Sequence, residues 1–289
     1  MKPKNQRGLQ PHTDVFKIGP SNYSTDKDPQ RSSITMEESR QKKMNALLKL
    51  SHELGSPRRQ MAILGEGNTS VRLTQETFLV KASGSSLSTL TRQDVVECKA
   101  KNLLSLLERK RLGDEEIDAA LLRSRVNPKS KKPSVEALFH AFFLTLPGVN
   151  YVGHTHAIAV NQVLCSPRAR EFARKRIVPD EVVCCGPASV FIPYTDPGFR
   201  LAQVIRTRTQ AFVRRYHQVP RVILMENHGI ITLGRSPEAV MAAMFMAEKA
   251  ASIWIGASLL GGPTFLAQHD IDRIANRSDE HYRQRALKL

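Results

Sequence analysis

Two histidines lie close together in an apolar segment of this 289-residue chain. The segment "VNYVGHTH" (149–156) predicts a β-strand, in which alternate side chains project from the same face. His154 and His156 would therefore point together from one rigid surface, as two ligands of a metal ion do. Two imidazoles make an incomplete metal site, so a third ligand has to come from another part of the chain.

The segment "ILMENHG" offers that third ligand. Its apolar residues predict a buried strand that ends at His228, beside the polar residues Glu226 and Asn227. Three imidazoles and one open position form a common catalytic zinc arrangement. The alternative is that each histidine is a hydrogen-bonded core or surface residue, and this is the interpretation that the sequence favours for His140 in "EALFHAFF".

A carboxylate precedes the histidine strand and could serve as an acid or base. The segment "PSVEALFH" predicts a helix with Pro133 and Glu136 in its first turn. The helix dipole would lower the pKa of this carboxylate, whereas desolvation beside a metal would raise it toward a range useful for proton transfer. The alternative is an ordinary first-turn acid that only stabilises the helix.

Stretches of small residues suggest an anionic ligand. The segments "GEGNTS" (65–70) and "ASGSS" (82–86) predict turns with exposed backbone N–H groups and hydroxyls, and Ser134 adds both groups near a helix start. Such groups together can bind a phosphate. The "GEG" sequence is not a dinucleotide fingerprint, because it lacks the third glycine and the preceding long strand.

The chain mixes predicted strands and helices without an internal linker. We predict a single domain over 35–289, preceded by a polar, basic and disordered extension over 1–34. The first helix of the predicted domain is expected to begin at Thr35, which forms a capping box with Glu38. Further predicted elements are two strands around a turn at 74–77, strands in "EVVCCGPASVFIPY", a helix over about 197–216, a long apolar helix from 236 and a helix or packed tail over 273–287.

Composition limits the class of protein. No apolar run approaches the ~20 residues of a membrane span. The N-terminus does not resemble a secretory signal. The 4 cysteines lack the spacing of a disulfide framework or a zinc ribbon. These features predict a cytoplasmic protein with reduced thiols. The net charge of +16 could attract nucleic acid, but the aromatic content of only 6% and the lack of a nucleic-acid motif favour a basic surface that attracts small anions.

Five segments together resemble a known family. "GEGNTSVR", "VKASGSSLSTLTRQDVV", "PSVEALFH", "GHTHAIA" and "ENHGII" have the order and spacing found in the class II aldolase/adducin family. That family includes fuculose-phosphate and rhamnulose-phosphate aldolases and ribulose-phosphate 4-epimerases. The resemblance covers roughly residues 37 to 260. It implies an α/β fold, a three-layer α/β/α sandwich with a mostly antiparallel central sheet, and a homotetramer with active sites at subunit interfaces.

The resemblance also implies roles for individual residues. His154, His156 and His228 correspond to ligands of a divalent metal, usually zinc, and Glu136 corresponds to the acid/base residue. The positions that hold the substrate phosphate are Asn68, Ser83, Gly84 and Ser134. The implied function is a metal-dependent aldehyde-lyase of pentose or deoxysugar catabolism, which cleaves or forms a carbon–carbon bond in a small phosphorylated ketose through a metal-stabilised enediolate.

Departures from the family pattern leave alternatives open. Val135 stands where the sugar-phosphate aldolases often carry a second serine, and "RIVPDEVVCCG" lacks the catalytic tyrosine of the fuculose-phosphate enzymes, a role to which Tyr194 does not align. The same metal chemistry would serve a 4-epimerase, a dehydratase or a decarboxylase, although the epimerases tend to carry Asp in place of Glu136. A second alternative is a non-catalytic, adducin-like interaction protein, but such relatives lack the complete histidine set.

Overall fold

The computed structural model describes residues 29–277, and for 29–36 the backbone only. Residues from Ser39 onward form one compact unit, and Glu38 ends a separate N-terminal unit. Most of the predicted extension (1–34) and most of the predicted tail (273–287) lie outside the described residues. The division of the chain at residue 35 therefore stays a prediction.

Seven strands form one sheet, with the order β3-β2-β1-β4-β7-β6-β5. All neighbouring strands are antiparallel except β5 and β6, which are parallel. The predicted mostly antiparallel sheet is thus confirmed. The strands are β1 (Asn68–Arg72), β2 (Thr77–Lys81), β3 (Val95–Lys99), β4 (Tyr151–Thr155), β5 (Val190–Ile192), β6 (Val222–Met225) and β7 (Gly229–Gly234).

Helices cover both faces of this sheet, which confirms the predicted α/β/α layering. One face packs against α2, α3, α4 and α8, and the other against α1, α5, α6, α7 and α9. The helices are α1 (Pro29–Leu54), α2 (Ala100–Leu104), α3 (Asp114–Ser124), α4 (Ala137–Phe143), α5 (Ile158–Leu164), α6 (Ala169–Arg174), α7 (Pro179–Cys185), α8 (Phe199–Tyr216), α9 (Pro237–Leu259) and α10 (Gln268–Ala275).

Strand β6 shows why a sheet buried on both faces needs a continuous apolar sequence. Side chains alternate along a strand, so Ile223 and Met225 enter the core on the α4 and α8 side. Val222 and Leu224 enter the core on the α9 side. Every residue of "VILM" is therefore buried, and the run shows no polar alternation.

The long apolar helix α9 belongs to the second of these cores. Its length and composition alone would allow it to cross a membrane. However, Val240, Met244 and Trp254 are buried in the cluster that covers the sheet. These contacts are those of a core helix that packs on a sheet. The predicted long helix in this segment is therefore confirmed.

Several predicted boundaries were wrong. Helix α1 begins at Pro29, so Thr35 lies inside the helix rather than at its N-cap. Pro133 does not start a helix, because it forms an isolated antiparallel bridge with Ala82 and α4 begins only at Ala137. Glu136 therefore occupies the N-cap position of α4 instead of its first turn.

The segment "EVVCC" also differs from its prediction. It forms the helix α7 rather than a strand, although its β-branched residues favour strands. Pro179 begins this helix, and Asp180 and Glu181 lie in its first turn, where proline and acidic residues favour a helix start. The predicted strand is limited to the following segment, which forms β5.

Candidate metal and substrate site

The sheet brings the three predicted histidines together. His154 lies on β4 between the neighbouring strands β1 and β7, and His156 follows the end of β4. His228 lies in the short turn between β6 and β7 rather than at the end of a strand. One ring nitrogen from each histidine lies within 4.8 Å of the other two, so the group could hold a metal ion.

A glycine makes this close approach possible. A Cβ atom added to Gly229 would lie 2.5 Å from the carbonyl oxygen of Thr155, 2.9 Å from Cδ2 of His156 and 3.2 Å from Cε1 of His154. Contacts of this length are not compatible with normal packing. The glycine in "NHG" therefore lets β7 begin directly against His154 on β4 and His156 just after it.

Hydrogen bonding fixes the orientation of the His154 ring. Its Nδ1 lies 3.0 Å from the carbonyl oxygen of Ile230, and because a carbonyl can only accept, Nδ1 carries the hydrogen. The lone pair is then on Nε2, which lies 3.2 Å from Nε2 of His156. A backbone carbonyl that fixes the ring in this way is typical of metal-ligating histidines.

The protonation states of the other two histidines also suit a metal. Burial lowers the pKa of His228 to about 4, and the neighbouring His154 acts in the same direction. Burial likewise lowers the pKa of His156. Both rings are neutral near pH 7, which is the form that coordinates metals. All three residues therefore offer imidazole nitrogens to a divalent cation, and His156 and His228 do so in the neutral form.

Glu136 lies directly beside this cluster. Its Oε1 is 3.2 Å from Nε2 of His154 and 3.9 Å from Nε2 of His228. Burial raises the pKa of Glu136, but the charge and hydrogen bond of His154 outweigh it and hold the pKa well below its usual range. Burial lowers the pKa of His154, but Glu136 more than compensates and raises it. Each side chain thus favours the charged form of the other, and a metal ion at the cluster would compete with a proton for Nε2 of His154.

The predicted phosphate-binding residues divide into two groups. Asn68 is fully buried on β1 opposite His154, and neither its Nδ2 nor its Oδ1 has a partner among the described residues. Such a group is costly to leave unpaired, which points to a ligand or water. Ser83 and Gly84 are exposed in the turn after β2, and Ser134 lies beside this turn because Ala82 bridges to Pro133.

The backbone amides of this turn do not all behave as predicted. The N–H of Ser83 donates to the carbonyl of Lys132 at 2.9 Å, and that of Ser134 to the carbonyl of Lys81 at 3.5 Å. These two amides are therefore engaged with backbone carbonyls, and phosphate binding by Ser83 and Ser134 stays a prediction. An anion could still bind to the hydroxyls of both serines and to the backbone at Gly84, which has a left-handed conformation (φ 76°).

Two polar residues near the site were not predicted. Lys81 is 2% exposed, and its Nζ donates to the carbonyls of Gly65 at 3.0 Å and Ser85 at 2.7 Å. Burial lowers its pKa, while Glu136 opposes this effect. Glu66 places Oε1 3.6 Å from Nδ1 of His156.

His140 is a buried, hydrogen-bonded core residue, as predicted. Its Nδ1 lies 2.7 Å from Oγ of Ser70, and its Nε2 has no partner among the described residues. Burial lowers its pKa to about 3. It is not one of the three histidines whose nitrogens converge. The neutral ring stacks on the neighbouring ring of Phe139 within α4.

Asp94 stabilises the turn that carries Ser83 and Gly84. Its Oδ2 accepts from the Thr91 N–H at 3.0 Å, and its Oδ1 accepts from Lys131 at 2.6 Å and from Ser85 at 3.3 Å. The hydrogen bonds from Lys131 and Thr91 lower the pKa of Asp94 below its ordinary value. The carboxylate thus ties this turn to the basic loop before Pro133.

We predict that Asp94→Asn lowers the free energy of unfolding at pH 7 by about 1 kcal/mol. The expected loss is this small because Lys131 is largely exposed, so that solvent screens its ion pair with Asp94. Since the folded state has the lower pKa, this stabilisation is present above the ordinary value of 3.8 and is lost as the pH falls below it. Urea titration at several pH values measures the difference. Asp118→Asn is the control, because its ion pair with Lys132 is exposed; an equal loss in both variants would contradict the prediction.

Two residues that depart from the family pattern, Val135 and Tyr194, offer little to a ligand or are tied to neighbouring groups. Val135 is half-buried just before Glu136 and offers no hydroxyl to a ligand. Tyr194 is 59% exposed, and its hydroxyl donates to Oδ1 of Asp196 at 3.1 Å, an interaction that raises the pKa of Tyr194. Its backbone N–H donates to Glu226 at 2.9 Å, which fastens this loop to the turn that carries His228.

Comparison with known proteins decides the family. The family model described as Class II Aldolase and Adducin N-terminal domain matches residues 45–255, which include all three histidines and Glu136. The chain belongs to the class II aldolase and adducin family. YuxG of Bacillus subtilis (strain 168), an uncharacterized oxidoreductase, is 30% identical over 205 residues. This match covers 68% of the chain and only 27% of YuxG, so the chain spans about a quarter of that curated relative.

Solved structures of the class II aldolase and adducin family share the fold. YgbL from Escherichia coli, for which aldolase, epimerase or decarboxylase activity has been proposed, is 19% identical with a TM-score of 0.60, over 84% of this chain and 100% of YgbL. The L-fuculose-1-phosphate aldolase of Thermus thermophilus is 16% identical with a TM-score of 0.54, over 76% of this chain and 97% of that enzyme. At these identities the likeness concerns the fold alone.

Proposed function

We propose that this protein is a metal-dependent aldehyde-lyase that cleaves or forms a carbon–carbon bond in a small phosphorylated ketose. The observation that carries the proposal is the convergence of three imidazole nitrogens within 4.8 Å, with the Glu136 carboxylate 3.2 Å from His154. A metal site beside a carboxylate provides the two functions that such a reaction needs: stabilisation of charge on the substrate and transfer of a proton.

The proposed ligands are His154, His156 and His228, and zinc is the divalent ion that a set of three imidazoles favours. The bound ion would supply a Lewis acid for the oxygens of the substrate. His154 is fully buried, and its ring is fixed by Ile230, so the ligand set is largely preorganised.

The chain's own residues supply proton transfer and binding. We assign to Glu136 the movement of a proton at the substrate carbon next to the bond that breaks, because its carboxylate faces the cluster. The unpaired amide of Asn68 would orient the substrate, and the hydroxyls of Ser83 and Ser134 with the turn at Gly84 would bind the phosphate. Lys81 adds a buried positive charge close by.

The proposal includes the setting that the family suggests. We infer a cytoplasmic enzyme of pentose or deoxysugar catabolism, assembled as a homotetramer with its active sites at the subunit interfaces. The exposed apolar side chains of Ile63 and Leu64 lie in the loop that leads to Glu66, beside His156. An apolar loop at the edge of the site is consistent with an active site that a second subunit completes.

One observation favours a second candidate. Val135 removes a hydroxyl from the proposed phosphate site, so a sugar acid that lacks phosphate could be the substrate. A decarboxylase of a 3-oxo sugar acid would use the same metal and the same carboxylate. Epimerases and dehydratases of ketose phosphates are the remaining alternatives within this chemistry, and a non-catalytic interaction protein lies outside it.

The test is a substrate panel with the zinc-loaded protein. We expect aldehyde release, measured with a coupled reductase, from at least one five- or six-carbon ketose 1-phosphate. The unphosphorylated ketoses serve as controls and should react more slowly. Carbon dioxide release from a 3-oxo sugar acid would instead support the decarboxylase. A metal-loaded protein that converts none of these compounds would contradict the lyase proposal.

A further inference from the structure

Four arginines line one pocket at the edge of the sheet. The pocket has a volume of about 190 Å³ and lies beside β5, between α6 and α8. No Asp or Glu is among its lining residues, and none of them belongs to the histidine site. The residues that matter are Arg170, Arg174, Arg208, Arg215, Ser189 and Phe191.

These four arginines differ from two nearby arginines that have acidic partners. Arg168 pairs with Glu171 at 2.9 Å, and Arg206 pairs with Glu108 at 2.7 Å. Within residues 37–277, by contrast, no carboxylate lies within ion-pair distance of the four that line the pocket. These four positive charges therefore have no partner among the described acids, and an anion in the pocket would supply one.

Helix dipoles explain only half of this arrangement. Arg174 and Arg215 lie in the last turns of α6 and α8, where a positive charge is favourable. Arg170, however, lies in the first turn of α6, where a positive charge is unfavourable, and Arg208 lies in the middle of α8. The helix dipole therefore does not account for these two exposed residues, which share the pocket with the other two arginines.

Neighbouring groups hold the pocket ready for such a ligand. The guanidinium of Arg170 lies over the ring of Phe191 at 5.3 Å, and that of Arg215 over the ring of Tyr216 at 5.4 Å. Ser189 is 9% exposed, and its Oγ accepts a hydrogen bond from the buried Arg176 at 2.9 Å. Because Arg176 carries no acceptor, the hydroxyl hydrogen of Ser189 is free to donate into the pocket.

We propose that this pocket binds a small, multiply charged anion of the diphosphate type. Planar guanidinium groups bind phosphate oxygens through paired, charge-assisted hydrogen bonds, and four of them can serve two linked phosphate groups. The small volume favours a compact anion over a polymer. The net charge of +16, which the histidine site does not explain, thus acquires a local role on this surface.

The test is titration calorimetry of the full-length, chelator-treated protein with inorganic pyrophosphate. We expect saturable binding that is tighter than that of orthophosphate. The double variant Arg170→Gln/Arg208→Gln should bind about tenfold more weakly or worse, since it loses two charged hydrogen-bonding groups. The control Arg200→Gln/Arg214→Gln removes the same charge from exposed positions outside the pocket and should bind as the wild type does.

A second control separates this site from the histidine site, because pyrophosphate also binds metals. His154→Ala should leave pyrophosphate binding unchanged. The proposal is wrong if the pocket variant binds normally, or if both double variants lose affinity equally, since binding would then follow net charge alone. It is also wrong if a single-stranded oligonucleotide binds while pyrophosphate does not, because the surface would then serve nucleic acid.

Discussion

Replacing His154 with alanine will remove the bound divalent ion and abolish the proposed lyase activity. The wild-type protein is expected to retain about one ion per chain after dialysis, whereas His154→Ala should retain less than about a tenth of that amount. The effect is large because His154 is fully buried, its ring is fixed by Ile230, and two remaining imidazoles make a much weaker site. Elemental analysis of the purified proteins measures the metal directly.

The matched control for this experiment is His140→Asn. His140 is equally buried and lies close to Glu136, but its nitrogens do not converge with the other three histidines. An asparagine can replace its hydrogen bond to Ser70, so the fold should survive. We expect this variant to keep its metal. A wild-type protein that binds no ion even with added zinc would contradict the metal site and favour a non-catalytic interaction protein.

The two halves of the metal site differ in how far the sequence could predict them. The pair on β4 follows from the two-residue period of a strand, which is a local property. The approach of His228 depends on β7 lying beside β4, although four helices and two strands separate these two strands along the chain. That pairing is a property of the whole sheet, so the sequence could offer His228 only as a candidate third ligand, and the family resemblance supported this choice.

The errors have equally specific causes. The "EVVCC" segment consists of residues that favour strands, but the proline and acids at its start and its packing against α9 select a helix. Pro133 looked like a helix start because proline often occupies that position, yet its bridge to Ala82 keeps the chain extended. That same bridge occupies the amides of the neighbouring turn, which spacing could not reveal.

Lys81 shows a different limit of sequence reasoning. A lysine at the end of an apolar strand is usually exposed, and the sequence does not show that the carbonyls of Gly65 and Ser85 surround its ammonium group. The signal that could have identified it is its position between Val80 and Ala82 in "FLVKASG", where the chain continues into the small-residue turn. Buried charges of this kind depend on tertiary contacts from several segments.

Replacing Glu136 with glutamine will separate proton transfer from metal binding. We expect Glu136→Gln to keep about one ion per chain but to lose roughly 10² to 10⁴ of kcat, because an amide cannot accept and return a proton. The amide has nearly the same shape as the carboxylate, so its place 3.2 Å from His154 can still be filled. Metal analysis and aldehyde release, measured on the same preparation, give the two quantities.

The control for Glu136 is a second carboxylate beside the histidines. Glu66 lies 3.6 Å from His156 and accepts the backbone N–H of Ile63 at 2.9 Å, a bond that glutamine can also accept. Glu66→Gln should therefore reduce kcat by less than about tenfold, the range of an indirect electrostatic effect. Solvent hydrogen exchange at the substrate carbon gives an independent readout, since it should be lost in Glu136→Gln and kept in Glu66→Gln. If Glu136→Gln still exchanges that hydrogen at the wild-type rate, the proton is moved by another group, and Glu136 only positions His154.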